Sequence, residues 1–194
     1  LDARAWFRQR RAAAYRAYYE HMPLRRQMLP LGHEMRLFHR SSHGGLVDFH
    51  ILDARQYRAA HVCPRPGRGG TNLVEVCPER LDPARSMLGA TQERWLEAGL
   101  DGSRAQQTLM ARNDSKPGPD QRFWTDGWDG YPMARRKLLN YLARRKPANP
   151  VVIGGDVHSF WVSDLKPDFD DPASPVVASE FCVSSITSGD GRSQ

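Results

Sequence analysis

Residues 151–161 read VVIGGDVHSFW, an apolar run that ends at two glycines and is followed by an aspartate and a histidine. Its apolar opening predicts a buried strand, and the two glycines that follow allow the backbone to turn sharply or to approach a bound group closely. Asp156 and His158 come next, at the carboxyl end of a strand, where α/β proteins collect ligands. Carboxylate and imidazole together suit iron, zinc or manganese, and a carboxylate alone also suits calcium or magnesium. The same pattern also fits a capped turn with a hydrogen-bonded histidine, so both interpretations stay open at this point.

The length and composition are those of an ordinary globular domain. The chain has 194 residues, of which 40% are hydrophobic and 26% are charged, and this length suits one domain. No apolar run approaches the ~18 residues of a membrane-spanning segment, and no signal peptide opens the chain. Because the chain begins with Leu1, inside what reads as a helix, we expect it to be a piece of a longer protein.

Basic residues outnumber acidic ones by 28 to 22, which gives a formal net charge of +6. Many arginines share the first 26 positions with aromatic residues, a pattern that predicts an amphipathic helix with a solvated basic face. An alternative function is a non-catalytic module that binds an anionic polymer or surface through this face. Binding to nucleic acid would need further elements of a known reading module, and because none is recognisable we do not expect a nucleic-acid partner.

Three segments have helical patterns. The first spans 2–21, and the side chains expected to face a core are Trp6, Tyr15, Tyr18 and Tyr19. The second helix is expected to begin with Thr91 as its N-cap. The third opens with Pro132 in its first turn and runs to about residue 145.

Five segments are expected to be extended. Their patterns of apolar and β-branched residues indicate strands at 46–52, 103–110, 151–154, 159–165 and 176–186. Helices and strands therefore alternate along the chain, which predicts an α/β sheet layered with helices.

Two arginines follow the strand at 46–52, in the run DARQYR at 53–58. Arg55 or Arg58 could hold a phosphate oxygen, because guanidinium geometry suits bidentate contact with anions. The alternative is structural, with Asp53 pairing with either arginine to fix the turn.

Residues 60–83 are rich in proline, glycine and arginine, which predicts a surface excursion with little structure of its own. This segment contains Cys63 and Cys77, and a disulfide between them would stabilise the fold by ~3 kcal/mol in the loop-entropy model. The alternative is two free thiols in a cytosolic protein. Cys182 lies in an apolar run and is expected to be a buried thiol.

Six motifs, taken in order, resemble the PhoD-type alkaline phosphatases and phosphodiesterases of the calcineurin-like metallophosphoesterase superfamily. They are AYYEHMP (17–23), LDARQYR (52–58), MLG with QERWL (87–89 and 92–96), DGWDGYP (126–132), GDVHS (155–159) and SSITS (184–188). Together they cover nearly the whole chain.

The resemblance implies a layered β-sandwich flanked by helices, with a multinuclear metal centre at the sheet edge. It implies hydrolysis of a small phosphate mono- or diester or a phospholipid, with iron and calcium as cofactors, although other divalent metals also fit. It implies a periplasmic or extracellular location. In the family pattern, Asp156 and His158 correspond to metal ligands.

The family's other metal-binding motifs belong upstream of this chain. We therefore expect residues 1–194 to be a single partial domain, the C-terminal half of the catalytic domain, and to be inactive alone. Candidates for the rim that receives the substrate are Arg55, Trp128 and Tyr131. For Trp128 and Tyr131, core packing is the alternative.

Overall fold

The computed structural model describes residues 2–67, 72–102, 106–109, 122–155 and 160–183. The chain divides into two compact units, 1–39 and 40–194. The first unit contains one long helix, and the second contains the principal sheet. No helix in the described part of the chain combines the length and the hydropathy needed to span a membrane.

Helix α1, Ala3–His21, matches the first predicted helix. The Asp2 side chain caps its first turn by accepting a hydrogen bond from the Arg4 N–H at 3.0 Å. Pro23 follows its C-terminal end, where a residue without an N–H cannot continue the helix.

The aromatic side chains of α1 do not face a core, so that prediction is wrong for the residues that the structure describes. No residue of this helix is buried, and Trp6 is 51% exposed. Guanidinium groups cover two of the rings, with Arg10 5.4 Å from the Trp6 ring and Arg11 5.1 Å from the Tyr15 ring. Both pairs have the i,i+4 spacing that makes residues neighbours on a helix surface. Tyr18 is exposed and Tyr19 is half-buried.

The second unit is built on a six-stranded sheet. Its strands are β1 His39–His43, β2 Val47–Ile51, β4 Gln106–Leu109, β6 Pro150–Gly154, β7 Trp161–Leu165 and β8 Ala178–Cys182. Their order across the sheet is β1-β2-β4-β6-β8-β7. Strands β2, β4, β6 and β8 run parallel, and β7 is antiparallel to β8. With its helices, this sheet confirms the predicted α/β class.

The two faces of the sheet differ in burial. One face packs on a core that contains Val152, Leu96 of α2 (Gly89–Gly102) and Leu142 of α3 (Pro132–Arg145). On the other face, Ile153, Phe181 and Val162 lie side by side across β6, β8 and β7 and are 38%, 43% and 74% exposed. Successive residues of a strand point to opposite faces, so Val152 and Ile153 have opposite environments.

The residues at their N-terminal ends determine where the two helices that cover the sheet begin. Helix α3 has the predicted span, with Pro132 in its first turn. Helix α2 begins at Gly89, ahead of the predicted cap at Thr91. The reason is the Ser86 hydroxyl, which accepts hydrogen bonds from the N–H groups of Leu88 and Gly89 at 3.2 and 2.6 Å.

The excursion at 60–83 has structure of its own, contrary to prediction. Strand β3, Leu73–Val74, pairs antiparallel with β5, Phe123–Trp124, and a 3₁₀ turn follows at Pro78–Leu81. The described part of this segment buries apolar side chains in a separate small core of Val62, Val74, Cys77 and Phe123. Burial of these apolar groups together explains the structure that the described residues of the excursion adopt despite its composition.

The structure joins Cys63 and Cys77 in a disulfide with their sulfur atoms 2.08 Å apart. Cys182, at the end of β8, is a buried free thiol, as predicted. The disulfide closes the excursion on itself beside its small core.

Candidate functional site

The carboxyl ends of the parallel strands β2, β4 and β6 lie at one edge of the sheet. The turn at 52–58 leaves β2 at this edge, and Gly155 leaves β6 there. Because β2 and β6 flank β4, they are about 10 Å apart at the usual strand spacing. Asp156 and His158 follow Gly155 in the sequence and lie outside the described residues.

Asp53 builds the turn after β2. Its carboxylate oxygen Oδ1 accepts hydrogen bonds from the backbone N–H groups of Arg55 and Gln56 at 2.9 and 3.0 Å. Gln92 of α2 binds the Asp53 backbone on both sides, accepting from its N–H at 2.7 Å and donating to its carbonyl at 2.9 Å. The Gln56 side-chain amide also donates to Asp53 Oδ2 at 2.5 Å. Asp53 therefore fixes the turn through backbone N–H groups and the two glutamines, and pairs with neither Arg55 nor Arg58.

Both arginines of the turn pair with Asp126 instead. Arg55 Nη1 lies 2.8 Å from each carboxylate oxygen of Asp126. Arg58 Nη1 lies 2.8 Å from Oδ1 of Asp126 and donates to its backbone carbonyl at 3.0 Å. His61 Nε2 lies 2.9 Å from the same Oδ1. We call Arg55, Arg58, His61 and Asp126 the Asp126 cluster.

The electrostatics of the cluster keep Asp126 ionised. Burial by itself would raise the pKa of this carboxyl, but the hydrogen bonds and positive charges of Arg55 and Arg58 outweigh it and lower the pKa below its ordinary value. Asp126 therefore stays an anion that can hold two guanidinium groups.

The two arginines of the cluster differ in the solvent exposure of their side chains. The Arg58 side chain is only 15% exposed, whereas that of Arg55 is 60% exposed. The Nε and Nη2 atoms of Arg55 have no hydrogen-bond partner among the residues that the structure describes. Of the two, Arg55 is the one whose donors face outward.

Backbone contacts hold Asp126 from the side of the excursion. Thr125, which precedes it, donates its N–H to the Asn72 carbonyl at 2.9 Å, and the Asn72 N–H donates to Thr125 Oγ1 at 2.9 Å. The Asn72 amide donates in turn to the Cys63 carbonyl at 3.2 Å. The disulfide-closed excursion therefore supports the loop that carries Asp126.

Trp128 and Tyr131 lie in the main core, so the structure corrects their prediction as rim residues. They are 4% and 0% exposed. The Tyr131 hydroxyl donates to the Ala59 carbonyl at 2.5 Å, and burial raises the pKa of this phenol. Side chains without solvent exposure cannot line an open rim, and core packing is the interpretation that fits them.

Within the described residues, one group of potential metal ligands has its ligand atoms close together: Cys63, Cys77 and Glu79. Its two sulfur atoms are bonded to each other as a disulfide, so neither is a thiolate that could bind an ion. The candidate ligands that remain are Asp156 and His158. Their carboxylate oxygen and imidazole nitrogen form a donor set that fits a metal ion.

Local sequence patterns do not indicate that Asp126 and His61 join the arginines of the turn. Asp126 lies in the motif DGWDGYP, which was recognisable, but its partners are 71 and 65 positions away. The motif identifies the segment that contains Asp126. The contacts of Asp126 with Arg55 and His61 are visible only in the folded structure.

Comparison with known proteins agrees with these motifs. A family model for PhoD-like phosphatases matches residues 2–194. Alkaline phosphatase D of Bacillus subtilis (strain 168) is 39% identical over 186 residues, which are 93% of this chain and 31% of that protein. A solved structure of PhoD matches with a TM-score of 0.81 and 38% identity, over 94% of this chain and 35% of that one. The chain thus spans about a third of the length of these relatives. It belongs to the PhoD-like phosphatase family.

Proposed function

We propose that this chain is part of an enzyme that hydrolyses phosphate mono- or diesters with bound metal ions. The observation that carries the proposal is the family match across residues 2–194, together with 39% identity to an alkaline phosphatase D. Small phosphate esters and phospholipids are the substrates that fit this chemistry. We assign the chain to the C-terminal part of a catalytic domain of the calcineurin-like superfamily.

Asp156 and His158 are the proposed metal ligands of this chain. Support comes from their sequence position directly after Gly155, where β6 ends at the carboxyl edge of the parallel strands. Iron and calcium, the expected ions, supply positive charge that stabilises the transferring phosphoryl group and lowers the pKa of a water molecule. The oxygen and nitrogen donors of the pair suit such ions.

A metal centre needs more ligands than these two. The described residues contain no other suitable group besides the disulfide-bonded set already named. Because the chain spans about a third of its relatives, we propose that the remaining ligands come from the rest of the parent protein. On this basis the 194-residue chain is inactive alone.

Arg55 is the proposed contact of this chain with the substrate at the rim. Its side chain is 60% exposed, and its Nε and Nη2 donors, which no described residue binds, match the oxygens of a phosphate group. An extracytoplasmic location is also proposed. It is supported by the Cys63–Cys77 disulfide, since disulfides persist in oxidising compartments.

The test uses the full-length parent protein, with p-nitrophenyl phosphate as the monoester and bis(p-nitrophenyl) phosphate as the diester. We expect hydrolysis of at least one of them, its loss on treatment with a chelator, and its recovery when iron and calcium are restored. Hydrolysis that survives chelation, or no hydrolysis of either ester by the metal-loaded protein, would contradict the proposed function.

A further inference from the structure

The Asp126 cluster binds one nitrogen of the Arg55 guanidinium, and the other two nitrogens have no hydrogen-bond partner in the described part of the chain. Nη1 of Arg55 is held by both carboxylate oxygens of Asp126 at 2.8 Å. We propose that Asp126 is a positioning residue, and that it orients Arg55 so that Nε and Nη2 bind the phosphate group of the substrate. This inference rests on the proposed function and assigns Asp126 a role in it.

The geometry of the pair favours orientation over simple charge neutralisation. A planar guanidinium offers its N–H groups in fixed directions, so fixing Nη1 also fixes the direction of the Nε–Nη2 edge. That edge is the one that pairs side-on with two oxygens of a phosphate. In an ordinary surface pair both side chains are exposed and mobile, whereas the Asp126 side chain is only 16% exposed.

Asp126 is itself held rigidly by groups that do not reach outward. Arg58, 15% exposed, binds both its carboxylate and its carbonyl, and His61, also 15% exposed, binds Oδ1. On the chain side, the paired hydrogen bonds of Thr125 with Asn72 tie the loop to the disulfide-closed excursion. A carboxylate fixed from two sides can transmit its position to Arg55.

Arg55 is the cation of the cluster that is open to solvent. Arg55 and Arg58 share the single carboxylate of Asp126, but the Arg58 side chain is 15% exposed and that of Arg55 is 60% exposed. An anion that arrives from solvent therefore meets Arg55 before Arg58.

The cluster also lies at the right edge of the sheet. The turn that carries Arg55 follows β2, and β6 ends at the same carboxyl edge, two strand positions away. Asp156 follows β6 in the sequence.

The experiment measures kcat, KM, inhibition by inorganic phosphate and metal content in the full-length protein. The variants are Arg55→Gln, Arg55→Lys, Asp126→Asn and the double variant Arg55→Gln with Asp126→Asn. For Arg55→Gln we expect KM and the phosphate inhibition constant to rise about tenfold, equivalent to about 1.4 kcal/mol. Metal content should stay unchanged, since Arg55 is not a ligand. Lysine, a point charge without the planar fork, should recover only part of the loss.

The double variant separates positioning from a purely structural role. If Asp126 acts through Arg55, Asp126→Asn raises KM in the wild-type background and adds nothing once Arg55 is Gln. Additive effects on KM would overturn the positioning role. Should Asp126→Asn fail to fold, Asp126→Glu keeps the charge and displaces the Arg55 guanidinium, and a wild-type KM in that variant would overturn it too.

Arg136 and Asp168 provide the matched control, because they form an exposed pair at 2.8 Å elsewhere on the second unit. Arg136→Gln and Asp168→Asn should leave KM and phosphate inhibition unchanged.

Different results contradict the Arg55 assignment and the proposed function. An active, chelator-sensitive wild type with unaltered Arg55→Gln kinetics overturns only the Arg55 assignment. If the wild type hydrolyses no ester, calorimetric titration with phosphate still tests Arg55, and equal binding by Arg55→Gln overturns it.

Discussion

Arg55 and Asp126 are 71 positions apart in the chain, yet Nη1 of Arg55 lies 2.8 Å from each carboxylate oxygen of Asp126. This contact joins the turn after β2 to the loop after β5. It makes two of the family motifs, LDARQYR and DGWDGYP, parts of one structure at the sheet edge.

The stability that Asp126 contributes should depend on pH. Its pKa is lowered in the fold, where Arg55 and Arg58 outweigh the effect of burial. The contribution is therefore fully present above the ordinary carboxyl pKa of about 4 and is lost as the pH falls through the lowered folded value. The free energy of unfolding of wild type should exceed that of Asp126→Asn at pH 7, and the difference should shrink by pH 3.

Urea unfolding at pH 7, 5 and 3 provides the measurement. Asp168→Asn is the control, since Asp168 forms an exposed pair and should show a difference under about 1 kcal/mol at every pH. A difference for Asp126→Asn that does not vary with pH would show that its charge plays no part in the cluster.

The two glycines of DGWDGYP should respond differently to substitution. A Cβ on Gly130 would lie 2.3 Å from the Thr125 carbonyl oxygen, next to Asp126 in the chain, whereas a Cβ on Gly127 would meet only Trp124 at 3.9 Å. We expect Gly130→Ala to cost about 2 kcal/mol or more, since backbone must move. Gly127→Ala should change the free energy of unfolding by under about 0.5 kcal/mol. Denaturant unfolding compares the two, and equal costs would contradict the close packing at Gly130.

The disulfide should stabilise the excursion and, through it, the Asp126 loop. Cys63 and Cys77 are separated by 14 positions, a loop for which chain entropy predicts about 3 kcal/mol. Cys63→Ser with Cys77→Ser should lower the free energy of unfolding by about that amount and raise KM in the direction of Asp126→Asn. Dithiothreitol should destabilise wild type but not the double serine variant. A double serine variant with wild-type stability and unaltered KM would show that the excursion does not support the Asp126 cluster.

Neighbouring residues of β6 should differ in their tolerance of a hydroxyl group. Val152 is 1% exposed in the core, and Ile153 is 38% exposed on the opposite face of the sheet. Val152→Thr buries a hydroxyl and should cost about 1–3 kcal/mol in the 194-residue chain. Ile153→Thr should cost under about 0.5 kcal/mol there. A large cost for Ile153→Thr would show that other atoms cover this face.

The sequence predicts those parts of the fold that local patterns specify. Pro132 and the helix formers after it place α3 correctly, and the apolar run at 151–154 places β6. The start of α2 is misplaced because the Ser86 hydroxyl, not Thr91, satisfies its first N–H groups. In each case, residues that are close in the sequence determine where the helix or strand begins.

Contacts between residues that are far apart in the sequence cannot be predicted from local patterns. For the arginines of the turn, the local sequence offers Asp53 as a pairing partner beside the alternative of a phosphate contact, but the fold brings in Asp126. The exposure of Trp6 and the burial of Trp128 follow from which surfaces meet, since both residues are equally apolar. Asp156 and His158 were identified from a motif, and their role stays a prediction.

The most direct test of the central claim is the metal content of the full-length protein measured by elemental analysis. Wild type, Asp156→Ala, His158→Ala and the control His33→Ala would be purified in parallel without chelators. We expect Asp156→Ala and His158→Ala to lose metal and phosphate ester hydrolysis, while His33→Ala retains both. Full metal content and normal hydrolysis with Asp156→Ala and His158→Ala would contradict it.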